Sequence, residues 1–70
     1  MGTFKIILKD SVSQEDVYTY YSDVLPGRHD MIGLLSGEDV FVITKRLLHP
    51  AHGVLICYGY ESIISREIEK

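Results

Sequence analysis

The sequence predicts a mainly β domain: five short strands curled into a small barrel or antiparallel meander, with room for one short helix. Three observations predict it. Apolar and polar residues follow a period of two in Phe4-Lys5-Ile6-Ile7-Leu8-Lys9, and the near-apolar run Val54 to Tyr60 has strand length, with Val54, Ile56, Tyr58 and Tyr60 opposite Leu55, Cys57 and Gly59. The segment from Val40 to Thr44 is rich in β-branched residues. Pro, Gly and Asp recur at short intervals between these runs, which is the rhythm of strands and tight turns.

Taken in order, the first strand puts Phe4, Ile6 and Leu8 on one face and Lys5, Ile7 and Lys9 on the other. Asp10 to Glu15 is polar and turns. The run Asp16 to Ser22 reads two ways. Its Val, Thr and three tyrosines favour a strand. A helix over 14–25 has Ser13 as cap, Glu15 and Asp16 in its first turn, and Val17, Tyr20, Tyr21 and Val24 on one face. Leu25 to Asp30 is a loop, Met31 to Leu35 a short strand, and Ser36 to Asp39 a hairpin turn. Val40 to Leu48 is the longest strand. It is apolar on both faces at its start, as a central strand is, and its alternation slips near Lys45 to Leu48, where a bulge restores it. His49 to Gly53 turns tightly into the fifth strand, Val54 to Tyr60. The tail carries Ile63, Ile64 and Ile68, and either a short helix after Ser62 or a last strand suits it.

Seventy residues make one domain, 1–70. A chain this short has a small core and marginal stability unless a disulfide, a metal or a partner assists. Cys57 is the sole cysteine, which excludes an internal disulfide and fits a reducing, cytoplasmic setting. Met1 reads as a true start, with no basic leader and apolar block behind it. The longest near-apolar stretch, Val54 to Tyr60, has strand length and is too short for a bilayer. An apolar share of 46% suggests a filled core or a buried self-association face. The net charge of −3 speaks against bulk nucleic-acid binding. Charge is unevenly placed: Asp10 to Asp39 holds seven acids and one base, whereas Lys45 to Tyr60 holds Lys45 and Arg46 and no acid.

The run Leu25-Pro26, Asp30-x-Ile32-x-Leu34, Asp39-Val40-Phe41-Val42-Ile43-Thr44-x-Arg46, His49-Pro50 and Gly53-Val54-Leu55-Ile56 resembles small SH3-like barrel proteins of bacteria and their phages. The resemblance covers about half the chain and rests on turns and core positions. It implies a fold and a binding or assembly role, with no catalytic residues. The chain departs from the pattern between Asp10 and Asp23 and in its tail.

Little in the residues supports chemistry. His49 and His52, three apart across a proline turn, are the best metal candidates, with His29 and Cys57 as remote companions; no CxxC or second close pair completes a tetrahedral set. Cys57 sits in an apolar strand that hides it and raises its pKa. The chain therefore reads as no enzyme, with no cofactor. The tyrosines stand out instead. Tyr18, Tyr20, Tyr58 and Tyr60, with Lys45 and Arg46, form the expected binding set, because an aromatic ring is apolar while its hydroxyl tolerates water. The leading expectation is a noncatalytic protein-interaction or assembly module that self-associates as a homo-oligomer. One alternative is a small nucleic-acid-binding barrel using Lys45, Arg46, His52 and exposed tyrosines. Another is an inhibitor whose acidic half (Asp16, Asp23, Asp30, Glu38 and Asp39) mimics a charged partner. No membrane partner is expected.

Overall fold

A computed structural model of the chain describes residues 2–35 and 37–68. Five strands appear: β1 (Phe4–Asp10), β2 (Asp16–Ser22), β3 (Met31–Gly33), β4 (Asp39–His49) and β5 (Val54–Ile63). A 3-10 turn (Pro50–His52) joins β4 to β5, and one short helix, α1 (Ile64–Ile68), follows β5. The strands form one curled sheet, a half-barrel, in the order β2-β1-β5-β4-β3. Among the described residues, no helix is long and apolar enough to cross a membrane.

The ambiguous segment at 14–25 is a strand over Asp16–Ser22. The helix alternative fails because β1 offers a complete antiparallel partner: Ile6 pairs with Tyr20 and Leu8 with Tyr18. Tertiary pairing thus sides with the β-propensity of the tyrosines. The third strand is shorter than expected, and the tail uses both options in sequence, since β5 runs on to Ile63 before α1 begins. Of the expected hairpin turn at Ser36 to Asp39, Ser36 lies outside the described residues, as do Met1, Glu69 and Lys70.

The sheet is mixed. β1 lies parallel to β5, with Ile6 beside Leu55 and Leu8 beside Cys57, while the β1–β2, β4–β5 and β3–β4 pairs are antiparallel. A parallel pair needs a long crossover, and here everything from β2 through β4 supplies it. Chain ends that are distant in sequence therefore meet at the centre of the sheet.

The core lies on the inner face. Ile6, Leu8, Phe41, Ile43, Leu55 and Cys57 are fully buried there. Tyr18, Tyr20, Leu25, Ile32 and Leu34 pack around them. Val40 and Val42, on the opposite face of β4, are also buried, as expected for a strand apolar on both sides. Gly59 is required where it stands. A Cβ there would run into the Val42 carbonyl oxygen and crowd the Phe41 ring. The glycine lets the β4 and β5 backbones approach closely there. The half-barrel remains open between β2 and β3, where a groove of about 370 Å³ is lined by Tyr20, Leu25, Pro26 and Ile32 among others.

A domain of this size has roughly 4–10 kcal/mol of stability. Phe41→Ala should remove about 3–5 kcal/mol of it, and Gly59→Ala about 3 kcal/mol through overpacking. Urea unfolding followed by circular dichroism measures both. A Gly59→Ala protein with an unchanged midpoint would contradict the crowding at β4.

Candidate functional site

Strand pairing sorts the expected binding residues onto two faces. Tyr18 and Tyr20 point inward, their rings stacked with centroids 6.1 Å apart beside the core. Tyr58 and Tyr60 point outward. The two tyrosine pairs therefore do not share a surface, contrary to the expected set. Lys45 and Arg46 separate in the same way. Lys45 is level with Tyr58, and Arg46 with Cys57 on the inner side. Arg46 donates from its guanidinium to the Pro26 carbonyl at 2.9 Å, tying β4 to the loop before β3.

The outer face is legible as rows across the strands. In one row, Ile7 of β1 lies beside Ile56 of β5, which lies beside Leu47 of β4. In the next row, Lys9, Tyr58 and Lys45 stand abreast. On the other flank, Lys5, Val54 and His49 do the same, with Tyr21 next to Lys5 on β2. An apolar stripe thus runs between two rows that carry lysine. Leu47 is 46% exposed and Tyr60 43% exposed. Tyr60 follows Tyr58 on the same strand face, roughly 7 Å further along.

Two local irregularities position this face. The pairing of β4 with β5 shifts between Ile43 and Lys45. Thr44 is the extra residue, and its hydroxyl donates to the Tyr58 carbonyl at 3.2 Å. This bulge turns Lys45 outward beside Tyr58; strict alternation from Ile43 would have pointed it inward. The second irregularity is the β1–β2 turn. There the Asp10 carboxylate accepts the N–H groups of Val12 and Ser13, at 2.8 and 3.0 Å. Those bonds hold the Asp10 carboxyl below the usual aspartate range. Gln14 adopts a left-handed backbone, φ 65°, with its N–H on the Asp10 carbonyl at 2.8 Å. The turn folds over the outer face, and an open cavity of about 370 Å³ lies between it and the sheet. Ser11, Gln14, Thr44, Lys45 and Tyr58 line it.

Lys9 is bound to Asp16 at 2.6 Å, and this hydrogen bond is the main reason its pKa is raised. The pair is solvent-exposed, so it adds little stability and mainly fixes where the charge sits. Among the described residues, Lys45 makes no ion pair or hydrogen bond.

His49 and His52 lie edge to face with ring centroids 6.3 Å apart. Cys57 is on the inner face, fully buried, and burial pushes its thiol pKa up. Among the described residues, no group of three His, Cys, Asp or Glu side chains is gathered in a way that could hold a metal ion.

Outside the expected binding set, the outer face adds Lys5, Ile7, Lys9, Tyr21, Leu47, Ile56, Ser11 and Gln14, of which Lys5, Ile7 and Lys9 were already readable as one strand face. The Lys5-Ile7-Lys9 alternation was a signal for the first three. The others needed the register between strands far apart in the chain. Comparison with known proteins adds no relative: no family model, curated protein or solved structure matches the chain with significance.

Two outcomes check this arrangement. Cys57 should react with a thiol reagent only as fast as the sheet opens, and at once after denaturation; immediate labelling of the folded protein contradicts its burial. Because the folded Asp10 pKa is lowered, the stability it lends is complete above the ordinary aspartate value and is lost as pH falls through the folded value. A carbon-detected NMR titration should place its midpoint below that of a free aspartate. Asp10→Asn should remove that part of the acid-side dependence.

Proposed function

We propose that this chain is a noncatalytic protein-interaction module that assembles with further copies of itself through its outer sheet face. The observation that carries the reading is the Ile7–Ile56–Leu47 stripe, half-buried at Ile7 and Ile56, exposed at Leu47, and flanked by Lys5, Lys9 and Lys45. A small domain without a disulfide gains most from covering such a stripe. Charge selects the manner of assembly. Two copies stacked outer face to outer face would set lysine against lysine. The groove between β2 and β3 has the opposite character: Asp30, Val24 and Met31 line it, Asp23 neighbours Val24 in sequence, and Val24 is 72% exposed. An acidic, apolar surface of one copy suits the basic, apolar face of the next. Such a contact is head-to-tail and generates rings or filaments. Kinship with SH3-like barrels and a cytoplasmic setting, where Cys57 stays reduced, belong to the same proposal.

A second reading has an observation of its own. Tyr58 and Tyr60 share the face with Lys9 and Lys45, and outward aromatics beside cations are how small sheets hold single strands. Salt-dependent retention of a short oligonucleotide would favour it over self-association.

Light scattering on a sizing column separates the readings. Self-association predicts a mass above the 8.0 kDa of one chain at low salt, falling toward that value as salt screens the contact. The double variant Lys5→Glu, Lys45→Glu should be monomeric throughout. A wild-type protein that stays monomeric at high micromolar concentration and low salt contradicts the proposal.

A further inference from the structure

The cavity under the β1–β2 turn is a second feature of the outer face, distinct from the apolar stripe beside it. Its walls come from three places in the chain: Ser11 and Gln14 from the turn, Thr44 and Lys45 from the β4 bulge, and Tyr58 from the middle of β5. Both backbone irregularities described above converge on it. A bulge commonly re-aims a side chain beside a binding site. A left-handed backbone at a residue other than glycine persists only when its surroundings hold it.

The lining is one-sided in its chemistry. Lys45 supplies an ammonium with no ion-pair partner among the described residues. Ser11, Gln14 and Tyr58 each carry a neutral group able to donate a hydrogen bond. Among the described residues, no carboxylate lines the cavity. Of the three acids nearest in sequence, Asp10 is bonded to the turn backbone and Asp16 to Lys9, while Glu15 adjoins Gln14 without lining the cavity. A volume of about 370 Å³ is at the small end of ligand pockets, which span roughly 300–1,000 Å³.

We infer that the cavity formed by Ser11, Gln14, Thr44, Lys45 and Tyr58 receives a single carboxylate, delivered by an acidic side chain of a bound protein segment. The charge count selects this ligand. One unpaired cation with neutral donors balances a monoanion. A phosphate monoester carries nearly two charges at neutral pH and calls for a second cation, which Lys9 does not offer while Asp16 holds it. Tyr58 would lie along the aliphatic part of the acidic side chain as Lys45 meets its head. A phosphodiester is also a monoanion, and the experiment discriminates against it. The inference rests on the protein-interaction reading. It would leave each copy's stripe to supply apolar area and each cavity to set the register of the partner.

NMR titration of the labelled full chain tests it with three probes: N-acetyl-glutamate N-methylamide, its glutamine counterpart, and a thymidine dinucleotide with one phosphodiester. The glutamate probe should shift the amide signals of Ser11, Gln14, Thr44, Lys45 and Tyr58 to saturation, and the glutamine probe should not. Lys45→Gln should weaken the affinity at least roughly fivefold, and Ser11→Ala should weaken it less. Three results overturn the inference: no saturable shift, an unchanged affinity in Lys45→Gln, or tighter binding of the dinucleotide at the same amides. Failure here is distinguishable from failure of self-association. A monomer by light scattering that still takes the glutamate probe sinks only the self-association, and an oligomer indifferent to the probe sinks only the pocket.

Discussion

The double pairing of β5 governs the rest of the molecule. One side of this strand is hydrogen-bonded in parallel to β1 and the other antiparallel to β4. Its alternation is therefore locked from both edges. Leu55, Cys57 and Gly59 must face inward, and Val54, Ile56, Tyr58 and Tyr60 must face outward. A slip of one residue would expose Leu55 and Cys57 and drive tyrosines into the core. Gly59 leaves no space for such a slip, because the β4 backbone occupies the place of a side chain.

From this lock follows the distribution of charge. The chain is acidic as a whole, with a net charge of −3. Yet Lys5, Lys9 and Lys45 all emerge on the outer face, and the only acid in their rows, Asp16, is bound to Lys9. Pleating achieves this segregation for Lys5 and Lys9, since they alternate with the core residues Ile6 and Leu8. For Lys45 the Thr44 bulge does it. Without that bulge Lys45 would stand opposite Cys57, the inner position that Arg46 takes in the folded chain. The bulge thus decides which of the two neighbouring cations faces outward, and the cavity lies beside the one it selects, Lys45.

Much of the fold was legible because β1 follows a period of two, β5 is a near-apolar run of strand length, and β4 is rich in β-branched residues. Even the slip near Lys45 was visible, since the run Val42 to Leu48 cannot keep its charged and apolar residues apart by simple alternation. Two things were not legible. The parallel β1–β5 pairing leaves no local trace, because no turn connects the two strands. The binding set was divided by pleating: closeness in sequence placed Lys45 with Arg46, whereas neighbours in a strand point to opposite faces and the bulge sets Lys45 as the outward one. Tyr18 and Tyr20 were likewise grouped with Tyr58 and Tyr60 by residue type, although Tyr18 and Tyr20 are neighbours of Leu8 and Ile6 on the inner side.

The register of β4 on β5 is the claim on which the outer face and its cavity both stand. Cross-strand proton contacts in an NMR spectrum of the folded chain measure it directly. The bulged register predicts contacts between the α-protons of Arg46 and Cys57 and between those of Leu48 and Leu55. An α-proton contact between Lys45 and Cys57 would mean an unbulged strand with Lys45 turned inward, and would contradict the account.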